Sequence, residues 1–222
     1  MKRHDKLIII LYVIIAIFFL TKEGKSAPSK EYINNKIIQA ATEQGVDPLL
    51  LKALCQAESS SRLRPDSFNF EDGGEGNHSF GICQILYSTA KGLGFKDPRC
   101  VINFDTATTS EINRLGGVIE KPIRKIYKNC KLFGPYTNAT QAAKYLKKQL
   151  KRYKGNVNKA VSAYNLGSYK KCITGYLTLK FVDSKTGKVK KYKKKCTVGG
   201  PLNEYYVNKV KNNLRRLKNV DY

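Results

Sequence analysis

Apolar residues recur at three- and four-residue intervals over much of the chain, which is the period of an amphipathic helix. Glycine and proline residues bound several of these segments. Gly45 follows the first segment, and Asp47 with Pro48 is suited to cap and begin the second. The pattern therefore predicts helices at residues 31–44, 48–58, 81–91, 137–156, 157–165 and 203–217.

One segment changes from a helical to an alternating period. Leu177, Leu179 and Phe181 alternate with other residues, and a turn-like run at 183–187 leads into a second strand rich in lysine. We expect a β-hairpin over residues 176–195. The predicted fold class is therefore mainly α, with a small β-hairpin insertion.

Two further segments lack a clear helical pattern. Residues 62–79 have the composition of a loop, and residues 97–135 have a poor period apart from short helices within 111–128. A chain of 222 residues is long enough for one domain with a sizeable core. We therefore assign residues 27–222 to a single domain with insertions at about 97–135 and 172–196.

The N-terminus has the pattern of an export signal. The basic run MKRHDK precedes an apolar stretch at residues 7–20, which as a helix would span only about 21 Å, short of a bilayer's hydrocarbon core of about 30 Å. Small residues at Gly24, Ser26 and Ala27 offer a cleavage point. Residues 1–26 are thus interpreted as a signal peptide, with an uncleaved membrane anchor as the alternative.

Export would place the six cysteines where disulfides persist. Six cysteines allow fifteen pairings. Cys172 and Cys196 bracket the hairpin, and Cys100 and Cys130 fall in the other insertion, which suggests two local bridges and leaves Cys55 for Cys83. The alternative is that some remain reduced as small buried apolar residues.

The net charge of +24 is concentrated in the C-terminal half. Residues 121–222 contain 27 Lys and Arg against three acids. Such a surface fits an anionic polymer or surface, such as an acidic cell wall, anionic lipid or nucleic acid. For an exported protein we expect a wall polymer or membrane surface and no nucleic acid; the alternative is a merely solvated basic face. We expect a monomer, although no sequence feature determines the oligomeric state.

Glu58 occupies an unexpected place on the second predicted helix. Leu51, Leu54 and Glu58 are spaced i, i+3, i+7, so Glu58 points within about 20° of Leu51, towards the apolar side. Two structural explanations stay open: the helix could end here, or Glu58 could pair with Arg62 at i+4.

Three short motifs follow one another along the chain: Glu58-Ser59, the run GICQ at residues 81–84, and Ala163-Tyr164-Asn165. In this order they resemble the soluble lytic transglycosylase family, peptidoglycan-cleaving enzymes with a lysozyme-like α fold. The segments EQGVDPLLLKALCQAES, SFGICQILYSTAKGLGF and NEYYVNKV resemble family segments as well. The resemblance covers most of residues 31–95 and 137–217.

The resemblance implies that Glu58 is the catalytic acid, with Ser59 beside it. Gly81 and Gln84 would line the sugar cleft, and Tyr164 and Asn165 would orient the carboxyl. Desolvation and the negative end of its own helix should keep Glu58 protonated near neutral pH. In the family, one carboxyl acts as acid and then as base on the bond between N-acetylmuramic acid (MurNAc) and N-acetylglucosamine (GlcNAc), leaving a 1,6-anhydro-MurNAc end, with no metal and no cofactor.

Two departures from the family pattern bear on this assignment. Cys83 stands where the family usually has Met, and could pair with Cys55, one turn before Glu58. The acid-rich loop with Glu71, Asp72 and Glu75 is similar to that of goose-type lysozymes, in which a loop acid assists a water.

Three other functions are therefore kept as hypotheses. If Asp72 or Glu75 faced Glu58, the enzyme would be a hydrolytic muramidase on the same fold. A non-catalytic protein could bind cell-wall glycan in the same cleft. His78 and Cys83 could form a thiol peptidase, although no orienting third group is evident. Under the first two hypotheses, as under the lytic one, the partner is peptidoglycan and the location the bacterial cell envelope, periplasmic or secreted, with or without an N-terminal anchor.

Overall fold

The computed structural model describes residues 27–69, 78–100, 129–182 and 189–220. This part of the chain is mainly α-helical, as predicted. Its helices are α1 (Lys30–Gln44), α2 (Pro48–Ser59), α3 (Tyr87–Gly92), α4 (Pro135–Arg152), α5 (Val157–Leu166) and α6 (Glu204–Val220). Its strands are β1 (Phe68–Asn69), β2 (Ser79–Phe80), β3 (Ile85–Leu86), β4 (Tyr176–Val182) and β5 (Val189–Lys195), with 3₁₀ turns at Pro98–Cys100 and Lys131–Phe133.

The start of α2 follows the predicted capping chemistry. Gly45 ends α1 in the left-handed conformation, with φ of 65°. The Asp47 carboxylate then accepts the backbone N–H of Leu49 at 2.8 Å and of Leu50 at 3.2 Å, while Pro48 occupies the first turn. These local bonds set the residue at which the helix carrying Glu58 begins.

The core lies between α4 and the helices around it. Ala139, Ala142, Ala143 and Leu146 on α4 are fully buried, and α4 packs against α1, α2, α3 and α5. The small alanines permit close approach of the backbones. Helix α2 also packs along α6. The end of α2 is therefore held from both sides.

The predicted helix at 81–91 is wrong at its beginning. Residues 81–84 form a turn, and only Tyr87–Gly92 is helical. Strands β1, β2 and β3 form a small antiparallel sheet that the sequence did not predict, with Phe68 opposite Phe80 and Phe80 opposite Ile85. The turn has two residues with positive φ, Gly81 at 72° and Gln84 at 45°, which a helix excludes.

The hairpin prediction is confirmed. Strands β4 and β5 pair antiparallel with Tyr176 opposite Lys195 and Val182 opposite Val189, and β5 contacts α6. All six cysteines form disulfides: Cys55–Cys83, Cys100–Cys130 and Cys172–Cys196. The suggested local bridges are confirmed, and the interpretation of some cysteines as reduced residues is wrong.

Several sequence predictions fall outside the described residues. They are the signal or anchor at 1–26, the acids Glu71, Asp72 and Glu75, the short helices within 111–128 and the hairpin turn at 183–187. No helix among the described residues combines the length and apolar character needed to cross a membrane.

Candidate active site

Glu58 lies at the end of α2, next to a cavity. Leu51 and Leu54 on the same stripe are fully buried, whereas Glu58 is half-buried. The helix ends at Ser59 because Ser60 leaves the helical region, with φ of 74°. The proposed helical i, i+4 pairing of Glu58 with Arg62 is therefore wrong. Partial burial of the carboxyl disfavours its ionised form.

Two neighbouring cavities share one side chain. The first, of about 430 Å³, is lined by Glu58, Ser59, Ser60, Arg64, Ser67, Phe68, Gln84 and Lys209. The second, of about 360 Å³, is lined by Gln84, Ile85, Leu86, Thr89, Tyr145, Tyr164, Asn165, Leu166 and Gly167. Gln84 borders both, and the two cavities together are called the cleft below.

Tyr206 on α6 holds the Glu58 carboxyl. Its hydroxyl donates a hydrogen bond to Oε1 of Glu58, and the residue is 4% exposed. Burial, followed by the negative charge of Glu58, raises the pKa of Tyr206 well above its ordinary value, so the hydroxyl keeps its proton. Sequence reasoning missed this residue. The sequence did contain a signal for it: Tyr206 precedes the inward-facing Val210 by four residues, which places both on the same face of a helix.

Lys209 follows Tyr206 by one helical turn. Its ammonium group donates to the backbone carbonyl of Ala57, the residue before Glu58, and the side chain lines the first cavity. A cation at a helix C-terminus satisfies a carbonyl that has no partner within the helix. Tyr206 and Lys209 thus fasten the end of α2 to α6.

The Gln84 side chain is fixed by its own turn. Nε2 of Gln84 donates to the Gly81 carbonyl at 2.8 Å, and Oε1 accepts from the Ser79 hydroxyl at 3.1 Å. The Gly81 N–H donates to the Ser67 carbonyl at 2.7 Å. Gln84 therefore lines both cavities, whereas the backbone groups of buried Gly81 hold Gln84 and the adjacent loop.

Asn138 is a second residue that the sequence did not single out. It is fully buried on α4, where its Nδ2 donates to the carbonyls of Phe80 at 2.7 Å and Leu132 at 2.9 Å. Its Oδ1 accepts the N–H of Cys83 at 2.9 Å. A Cβ built on Gly81 would lie 2.5 Å from Nδ2 of Asn138, so glycine is required there. Asn138 positions the turn that carries Gln84.

Tyr164 and Asn165 lie on the second cavity. The Tyr164 hydroxyl donates to the Cys83 carbonyl at 2.9 Å, while burial and then the charge of Glu58 raise the pKa of Tyr164 well above its ordinary value. Asn165 is exposed, and its Oδ1 accepts from Asn203 at 3.0 Å. Tyr206 is thus a donor to the carboxyl, and the hydroxyl of Tyr164 holds the Gln84 turn.

Ser59 and the two cysteines link the carboxyl to that turn. The buried Ser59 hydroxyl donates to the Cys55 carbonyl at 3.1 Å, and Cys55 is joined to Cys83, the neighbour of Gln84. The thiol-peptidase hypothesis is wrong, because the sulfur of Cys83 is in a disulfide and is not a nucleophile. Helix α2 and the Gln84 turn are therefore joined covalently.

The arrangement suits proton transfer beside the first cavity. One half-buried carboxyl, a tyrosine donor on one of its oxygens and a fixed amide nearby are groups of the kind that general acid–base chemistry uses. A family model described as the transglycosylase SLT domain matches residues 35–173. The matched region contains Glu58, Gln84 and Tyr164, whereas α6 with Tyr206 lies beyond it. No solved structure matches the chain.

Proposed function

Because the chain belongs to the transglycosylase SLT domain family, we propose that it cleaves the β-1,4 bond between MurNAc and GlcNAc and leaves a 1,6-anhydro-MurNAc end. Membership of this family supports a glycosyl-cleaving enzyme that acts on peptidoglycan at the cell envelope. The observation that carries the finer proposal is the placement of Glu58 on the cleft with Tyr206 bonded to one carboxyl oxygen.

In the first step Glu58 acts as the acid. Tyr206 donates to Oε1, so we assign the transferable proton to Oε2. This proton passes to the glycosidic oxygen as its bond to C1 of MurNAc breaks, and GlcNAc leaves with a new hydroxyl. Partial burial favours the neutral carboxyl beforehand.

In the second step the Glu58 carboxylate acts as the base. It takes the proton from the C6 hydroxyl of the same MurNAc, whose oxygen bonds to C1 and closes the anhydro ring. No water is consumed, and Glu58 regains its proton. Tyr206 donates to a charged acceptor between the two steps, when its hydrogen bond is strongest. The sugars would be bordered by Gln84, Tyr164 and Asn165. These residues would be supported from behind by Ser59 and Gly81.

Product analysis tests the proposal. Purified peptidoglycan would be digested, and the fragments weighed. Anhydro ends, one water lighter than reducing ends, support the lytic reaction; reducing ends would support a hydrolase using Asp72 or Glu75, and an absence of fragments a glycan-binding protein. We expect Glu58→Gln to lower the rate by about 100-fold or more.

Glu43→Gln is the matched control for Glu58→Gln. Glu43 also accepts a tyrosine hydroxyl, that of Tyr136, but it lies on α1 outside the two cavities described above. It should keep the parent rate. If Glu58→Gln also cuts at the parent rate, the assignment of the acid is wrong.

The basic hairpin is proposed to bind anionic wall polymers or membrane surfaces. Lys191, Lys193 and Lys195 are exposed and alternate along β5, so they share one face of the hairpin. The Lys193 ammonium lies 5.8 Å from the centre of the exposed Tyr176 ring. An exposed row of positive charges attracts polyanions, and salt weakens this attraction.

Binding to wall sacculi would test the hairpin. Changing the three lysines to Gln should weaken binding at low salt, and the difference should shrink at high salt. Changing Lys147, Lys151 and Lys154, exposed at and just beyond the end of α4, removes the same net charge and should weaken binding less. Equal losses of binding in the two variants would indicate that binding depends on net charge alone. N-terminal sequencing of the mature protein would test signal against anchor.

A further inference from the structure

The cavity beside Glu58 contains two cations that the proposed proton transfers do not use. Among the described residues, its charged side chains are Glu58, Arg64 and Lys209. Lys209 is attached to the end of α2 through the Ala57 carbonyl, and Arg64 lies on the segment that follows α2. The part of the lining that the structure describes therefore carries two cationic side chains against one carboxyl.

Cations that line the same cavity as the acid would oppose the first catalytic step. A positive charge near a carboxyl favours its ionised form, whereas a general acid must hold a proton when the substrate arrives. An anionic group on the substrate that pairs with the cations would offset this effect. Ser60 and Ser67 also line the cavity and can donate hydroxyl hydrogen bonds to an anion.

The internal partners of the two cations leave them able to meet a ligand. Arg64 is paired with Asp66 at 3.4 Å, with both side chains about half exposed (50% and 51%). An exposed pair of this kind is weak and can be exchanged for another carboxylate. Lys209 donates to a carbonyl and has two further N–H donors on the same ammonium group.

We propose that Arg64 and Lys209 form a carboxylate-binding subsite for the muramyl unit of the substrate. This inference rests on the proposed function, which places MurNAc at Glu58. MurNAc carries a lactyl ether whose carboxyl is either free or joined to the stem peptide, and that peptide bears carboxylates of its own. The GlcNAc unit has no such group. The subsite would thus distinguish the two sugars by charge and seat the muramyl side against Glu58.

Equilibrium binding to the Glu58→Gln protein tests the subsite without cleavage. The ligands are soluble GlcNAc–MurNAc tetrasaccharides, either carrying stem peptides or freed of them by an amidase. Each is compared with a copy whose carboxylates have been converted to amides by carbodiimide and ammonia. We expect the charged ligand to bind about tenfold more tightly than its amide, as charge-assisted hydrogen bonds imply.

Adding Arg64→Gln and Lys209→Gln to the Glu58→Gln protein should reduce that ratio to about twofold or less, because the charged donors are gone. Lys211→Gln, on the same helix and exposed, is the matched control and should keep the full ratio. The ligand pair with the larger ratio identifies the source, lactyl carboxylate or stem peptide.

Two results would overturn the subsite. One is equal affinity for the charged and amidated ligands. The other is a charge preference that persists in the Arg64 and Lys209 variant. Neither result tests the proposed reaction, because that reaction is tested by the fragments that the parent enzyme releases. Conversely, a parent enzyme that releases no anhydro ends refutes the reaction while the binding ratio still reports on the subsite.

Discussion

Removing the Cys55–Cys83 disulfide should impair catalysis more than stability alone explains. Both sulfur atoms are buried, and the bridge joins the helix carrying Glu58 to the turn carrying Gln84. We consider the double substitution Cys55→Ala with Cys83→Ala. The covalent link disappears, while the Tyr164 bond to the Cys83 carbonyl and the packing of the turn remain.

The stability cost can be estimated from loop length. A disulfide that spans 28 residues restricts the unfolded chain, so removing it should lower the free energy of unfolding by about 3.5 kcal/mol. The Cys172–Cys196 bridge, at the base of the hairpin and with a separation of 24, gives nearly the same value, about 3.5 kcal/mol. Replacing Cys172 and Cys196 by alanine is therefore a control with matched thermodynamic cost.

Catalysis should separate the two variants. A shift of about 1 Å between an acid and a substrate-positioning group can cost about 100-fold in rate. We expect the Cys55/Cys83 variant to lose rate on this scale, and the Cys172/Cys196 variant to keep the parent rate where both are folded. Urea unfolding gives stability, and release of fragments from peptidoglycan gives rate. Equal rate losses in the two variants, or a parent rate in the first, would refute the argument.

Three further predictions concern single residues. Tyr206→Phe removes the hydroxyl donor to Glu58 and should lower kcat by about 10-fold or more, the scale of a hydrogen bond to a charged group, with little change in KM. Gly81→Ala should cost about 2–4 kcal/mol of unfolding free energy, because φ is positive and the new Cβ meets Asn138. Asp97→Asn should lower Tm at neutral pH but not in strong acid. Burial alone would raise the pKa of Asp97, but hydrogen bonds from the Arg99 side chain and from backbone N–H groups lower it overall. The contribution of Asp97 to stability is therefore present above its pKa in the unfolded chain and is lost as the pH falls through its pKa in the folded protein.

The outcomes that contradict these predictions are equally specific. An unchanged kcat in Tyr206→Phe would mean that the hydroxyl does not assist Glu58, and Tyr205→Phe, at the exposed neighbour, is its control. Gly155→Ala, also at positive φ but in open space, should cost less unfolding free energy than Gly81→Ala. An equal loss in the two variants would show that the contact with Asn138 does not affect stability. A Tm difference for Asp97→Asn that persists in strong acid would exclude titration of that carboxyl as its cause.

Part of the cleft could be predicted because its signals are local. The stripe of Leu51, Leu54 and Glu58 turns the carboxyl inward on a helix of known period, whereas the place of Gln84 was implied only by the family resemblance. The same local reasoning extended the helix too far back, to residue 81. The turn there depends on Asn138, which is 55 residues away from Cys83 in the chain and satisfies the backbone groups that a helix would have used.

By itself the sequence determined most of the helices that the structure describes, where α2 begins, that a basic hairpin interrupts the helices and which motifs resemble a known family. These features follow from caps, periodicity and turn residues within a few positions of one another. Only the tertiary structure decided which groups meet Glu58. Tyr206 is 148 residues from Glu58, and Lys209 is 152 residues from Ala57. Their contacts arise because α6 packs along α2, and the pairing of two helix faces depends on the shape and burial of the whole core rather than on any local pattern.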